Sequence, residues 1–145
     1  MLNPAFCAEI MRLCFLGYTK EKKENFPFPL NYLILPLILH SEARKELPDR
    51  INVDLKKWVL NNDELVFLLY EKIVSMRPYT NESIFFLLNQ DFIQLSNNGT
   101  IILTKLTEHK KTTDGDDYFE KGLFLGRWFS RYSTAEIYNY FKIKP

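Results

Sequence analysis

Histidine, cysteine and glycine are all scarce in this 145-residue chain, and each shortage removes a class of function. The two histidines, His40 and His109, stand in unrelated stretches, so no His-Glu pair falls at zinc spacing. Five glycines make neither a Gly-rich phosphate loop nor a nucleophile elbow. The two cysteines, Cys7 and Cys14, lie two helical turns apart on an expected helix, about 10 Å between Cα atoms, too far for a disulfide. They read as small buried hydrophobes of a reducing compartment. A basic excess is missing too. Nineteen Lys and Arg face 18 Asp and Glu, for a net charge of +1, whereas a free-standing nucleic-acid binder needs cations to neutralise phosphates. Long apolar runs are also absent: the most hydrophobic stretch, 26–39, covers about 14 residues and holds three prolines, where a membrane span needs about 20. The N-terminus has no basic segment followed by an apolar run, so no signal peptide is expected. These absences leave a cytoplasmic protein with no catalytic residues, no cofactor, no metal and no membrane contact.

What the chain does have is aromatic surface, with 12 Phe and 8 Tyr. That excess suits a dense core first and an adhesive surface second. The length is that of a single domain, 1–145. Within it we expect N-terminal helices over 1–50, a winged-helix-like core over 51–105 and C-terminal helices over 118–145.

Local signals support that division. Asn3-Pro4 caps and opens a helix carrying Phe6, Ile10 and Leu13 and ending at Gly17-Tyr18. Residues 20–25 read as a charged loop, and Phe26-Pro27-Phe28-Pro29 as extended backbone. Residues 30–47 read as a helix kinked near Pro36, with His40 a structural residue at its midpoint. A short helix is expected over 54–60, with Leu55, Trp58 and Val59 inward. Asn61 and Glu64 resemble a capping box for a helix that ends before Pro78. The turn Arg77-Pro78-Tyr79-Thr80 leads to a second helix over 81–90, capped by Thr80 or Asn81. Asn97-Asn98-Gly99 between β-favouring runs signals a hairpin. Residues 105–117 read as a polar loop. From Tyr118 a helix carries Leu125, Trp128 and Phe129 to the core, and Ser133 with Glu136 forms a capping box for the last helix.

Helix, turn, helix and hairpin in that order describe a winged helix in a predominantly helical α+β fold. Its second helix offers Asn81, Glu82, Ser83, Asn89, Gln90 and Asp91, without one cation to place in a major groove. It therefore reads as turned to protein contacts or used as scaffold. Gly122 and Gly126 lie four apart on a helix and read as permitting close packing of a neighbour. Arg127 and Arg131, beside Trp128, have three readings: solvated arginines, anchors for a protein partner, or phosphate contacts. As a partner interface we single out Arg127 and Arg131, with the face around Tyr79 and Phe86 as the alternative.

A resemblance runs nearly end to end. Asn3-Pro4-Ala5, Pro27-Phe28-Pro29-Leu30, Leu35-Pro36-Leu37, Leu39-His40, Leu47-Pro48, Arg77-Pro78-Tyr79-Thr80, Gly126-Arg127-Trp128-Phe129 with Arg131, and Ile143-Lys144-Pro145 follow in an order similar to the middle component of bacterial three-component ABC systems. Those systems include Lamassu-type antiphage and antiplasmid defence. The resemblance implies a non-catalytic accessory subunit that joins an SMC-like or Rad50-like ABC ATPase to an effector, often a nuclease, with any DNA contact indirect or non-specific. It supplies no catalytic residues, and it implies a chain complete at Lys144-Pro145. The acidic Asp114-Gly115-Asp116-Asp117 has no place in that pattern. The reading from another class is a winged-helix DNA-binding transcription regulator.

Overall fold

The computed structural model describes residues 2–109 and 115–143, so the middle of the expected polar loop and the closing Lys144-Pro145 lie outside the described residues. The fold is α+β and mostly helical: α1 (Pro4–Lys22), β1 (Phe26–Pro27), a 3-10 turn (Phe28–Leu30), α2 (Asn31–Leu39), α3 (Ser41–Glu46), α4 (Leu55–Asn61), α5 (Asp63–Asn89), β2 (Ile93–Leu95), β3 (Thr100–Leu103), α6 (Asp116–Phe129) and α7 (Thr134–Phe141).

Asn3 caps α1 through Oδ1, which accepts from the N–H groups of Ala5 (2.8 Å) and Phe6 (3.3 Å), with Pro4 at the first helical position. From Cys7 to Tyr18 every side chain but one is buried, the sign of a helix surrounded by others. α1 packs against α6, α5 and α2. It does not stop at Gly17. It continues to Lys22 and ends on Lys23 in the left-handed region (φ 64°), because Gly17 is a contact point and not a terminator: a Cβ there would sit 2.2 Å from the Leu123 carbonyl oxygen. Across the same seam, a Cβ on Gly122 would meet the Ile10 carbonyl oxygen at 2.9 Å and one on Gly126 the Cys14 carbonyl oxygen at 1.9 Å. The pairings Ile10–Gly122 and Cys14–Gly126 advance together, so α1 and α6 run in the same direction with their backbones nearly touching.

The extended segment at 26–27 becomes the edge strand of a three-stranded antiparallel sheet, order β1-β3-β2, with Phe26 opposite Ile101 and Leu95 opposite Ile101 on the other side. Pro27 is tolerated there because an edge strand can spare its donor. The hairpin is as expected, but its turn is not a primed one. Between the strands only Gly99 (φ 76°) has positive φ, and the Ser96 N–H bonds the Thr100 carbonyl (3.0 Å), so residues 97–99 form a three-residue loop closed by a left-handed glycine.

Three expectations about helix boundaries are corrected. First, α2 passes through Pro36 and the break falls at His40, whose Nδ1 accepts from the Ala43 N–H (3.1 Å) and caps α3. Second, the Asn61 capping box does not form, because Asn61 closes α4 and a single residue, Asn62, joins it to α5. Third, no turn interrupts 77–80. α5 is one 27-residue helix through Pro78, so the helix-turn-helix of a winged helix is not present, and Thr80 is a buried mid-helix residue and not a cap. Pro78 removes the donor to the Val74 carbonyl. Both residues lie on the exposed side of α5, so that carbonyl faces water and the helix continues. α6 likewise starts two residues earlier than expected, at Asp116.

Candidate interaction surfaces

Among the described residues no group of three His, Cys, Asp or Glu side chains stands where a metal ion could be held, and no helix is long and apolar enough to cross a membrane. Both thiols are buried and free. Burial raises the pKa of each, which suppresses the reactive thiolate.

One polar cluster escaped the sequence. His109 Nδ1 meets Glu9 Oε2 at 2.5 Å, and Glu9 also takes a forked pair from Arg12, 2.6 Å to Nε and 2.9 Å to Nη2. Arg12 completes its set on the Thr107 carbonyl (2.7 Å), and the His109 ring packs tilted against Phe119, 4.3 Å between centroids. Burial alone would raise the Glu9 pKa. The hydrogen bonds and charges of Arg12 and His109 outweigh it and hold the carboxylate below its ordinary value. The cluster fastens the segment following β3 onto α1.

The expected arginine pair is separated by the end of a helix. Arg127 is on α6, half exposed, with Nε 2.9 Å from Glu21 on α1. Arg131 is exposed and lies beyond α6, which closes at Phe129 through tightened bonds such as Arg131 N–H to the Trp128 carbonyl. The two therefore do not share a helix face. Their neighbours are placed as expected: Leu125, Trp128 and Phe129 are wholly buried, and Trp128 donates to the Val53 carbonyl at 2.8 Å.

Tyr79 and Phe86 are half-buried and pack against the core. The residue that reaches solvent is Phe85, 63% exposed. It belongs to a row. At 100° per residue, Phe67, Val74, Pro78 and Phe85 all fall within about 20° of one line along the outer side of α5. Phe67 is 73% and Val74 66% exposed. The opposite side of the helix supplies Val66, Leu69, Ile84 and Leu87 to the core. At the N-terminal end the row runs into a groove of about 690 Å³ lined by Leu60, Phe67, Tyr70 and Tyr140. Tyr70 fixes its floor by donating to the Phe141 carbonyl (2.6 Å). Contiguous apolar exposure of this kind marks an interaction site. A sequence signal existed: the row repeats at 7, 4 and 7 residues, but the supposed turn at Pro78 divided it.

The family model described as ABC-three component (ABC-3C) system Middle Component 3 matches residues 1–145, the whole chain. No curated protein and no solved structure matches it.

Proposed function

Starting from a chain that belongs to the Middle Component 3 family of ABC-three component systems, we propose that it is a non-catalytic adaptor that joins the SMC-like or Rad50-like ABC ATPase of its system to an effector, a nuclease in the simplest case, in antiphage or antiplasmid defence. The observation that carries this reading is the exposed apolar face of α5, with Phe67, Val74 and Phe85 each more than 60% exposed. Soluble monomers rarely leave such a row in water. Joining two partners needs a second surface, and the end of α6 with Arg131 is available for it. α5 and α6 both pack on α1 and make little contact with each other.

The test is reconstitution. Tagged ATPase should retain the effector only when this chain is present, and deleting its gene should abolish protection against phage or plasmid. Equal retention of effector without the chain would remove the bridging role. The regulator reading makes a different demand. It requires a dissociation constant for a specific DNA site near the 10⁻⁸ M or tighter that marks specific readers, whereas the adaptor reading expects no sequence-specific binding at physiological salt.

A further inference from the structure

We infer that the outer face of α5 is the seat for an amphipathic helix with a basic edge, contributed by another subunit of the system. This rests on the adaptor reading and adds the chemistry of the occupant.

The shape of the surface comes first. Phe67 to Phe85 is five helical turns, about 27 Å at 1.5 Å per residue. At 100° per residue the exposed apolar residues keep to one line along that length, with spacings that repeat every turn or two turns. A partner helix laid alongside can match such a row turn for turn. The groove at the Phe67 end, between α4, α5 and α7, has the volume, about 690 Å³, to receive one bulky side chain as an anchor.

Charge then selects the occupant. Glu64, Glu71 and Glu82 are all exposed and all lie about 40–60° to the same side of the apolar row. None is in an ion pair among the described residues. No cation falls between them and the row. This anionic edge repels nucleic acid and the anionic surface of a membrane, which leaves a protein. It also disfavours a second copy of the chain. An antiparallel pair of α5 helices would set one glutamate edge against the other. A parallel pair would oppose it to Asp63, Tyr70 and Asn81, with Arg77 the sole cation on that side. A helix carrying Lys or Arg along one flank answers the edge directly.

The centre of the seat adds one demand. Because Pro78 has no N–H, the Val74 carbonyl lacks its helical donor in the middle of the row. An occupant that excludes water must present a donor there. A lysine, arginine or hydroxyl side chain at the middle of the partner helix supplies it.

The experiment uses the purified full-length chain with the ABC ATPase and effector subunits of its own system. Phe67→Ser/Phe85→Ser should weaken association with one of the two at least about thirtyfold, the loss expected of two anchor residues. Glu64→Lys/Glu71→Lys/Glu82→Lys, exposed positions that leave the fold intact, should weaken the same association about tenfold or more and invert its salt dependence. A photo-crosslinker at Phe85 should attach to a helical segment of that subunit with Lys or Arg beside its apolar face. If both variants assemble with unchanged affinity, or the crosslink falls on a non-helical segment, the seat is wrong while bridging stands. If the crosslink joins two copies of this chain, the occupant is a second copy and the inference is overturned. If the wild-type chain binds neither subunit, both readings fail.

Discussion

Gly126→Ala adds one methyl group at the tightest point of the fold. Its Cβ would stand 1.9 Å from the Cys14 carbonyl oxygen and 2.8 Å from both the Cys14 carbonyl carbon and the Tyr18 nitrogen. All three are backbone atoms of α1, so no side chain can rotate away. Carbon and carbonyl oxygen normally close to about 3.3 Å, so α1 and α6 must part locally by about 1.4 Å. Leu125, Trp128 and Phe129 on one helix, and Cys14, Phe15 and Tyr18 on the other, would loosen with them. Overpacking costs about 1–3 kcal/mol, and a clash of backbone against Cβ belongs at the top of that range. Alanine returns about 1 kcal/mol of helix propensity. The net loss is about 2 kcal/mol, which at about 2–4 °C per kcal/mol for a chain of this size lowers Tm by about 4–8 °C. Thermal unfolding followed by circular dichroism measures it, with two controls. Gly122→Ala meets backbone only at 2.9 Å and should lose far less. Gly99→Ala meets nothing within 4 Å and carries only the cost of a left-handed φ, about 1–2 kcal/mol. Should Gly126→Ala melt within 1–2 °C of the parent, or above Gly99→Ala, the close crossing of α1 and α6 is not what holds the two helices in register.

The Glu9–Arg12–His109 cluster predicts a pH dependence. Glu9 titrates below its ordinary value in the folded chain, so its stabilisation is complete above the unfolded carboxylate pKa and lost as pH falls through the folded one. Glu9→Gln should cost stability at pH 7, about 1–3 kcal/mol for a broken charge-assisted network, and should flatten the acid limb of the stability profile below about pH 4.3. An acid limb unchanged by the substitution would mean that other carboxylates set it. For the arginines, Arg127→Ala/Arg131→Ala should leave the far-ultraviolet spectrum unchanged and weaken assembly of the three subunits in a pull-down. Separate single variants assign the loss: if Arg131→Ala alone has no effect, Arg127 acts only through its bond to Glu21 and this end of α6 is no interface.

Two of the caps were legible because their chemistry is local. Asn3 with Pro4, and Ser133 with Glu136, whose side chains exchange bonds with each other's backbone at 2.9 and 3.1 Å, need only four consecutive residues. The hairpin was legible for the same reason. Gly17 and Pro78 were misread because each was treated as punctuation, and the meaning of both depends on what lies across from them. Gly17 faces another backbone and so continues a helix. Pro78 faces water, where the carbonyl it strands can be hydrated. From that second misreading the fold inherited a winged helix it does not have, and the row of exposed apolar residues that includes Phe85 was divided in two. The Glu9–His109 contact joins residues 100 positions apart, and no spacing rule anticipates such a pair.

Placing α1 at the centre of the fold has a consequence for synthesis. Of the helices described, α1 leaves the ribosome first; it is buried from Cys7 to Tyr18 at all positions but one, and its main partner, α6, ends at Phe129. At about 5–20 residues per second, α1 waits roughly 5–20 s before the helix that covers Gly17 and Cys14 exists. A nascent chain arrested at residue 109 should therefore carry a chaperone on α1, and one extended past the end of α7 should release it.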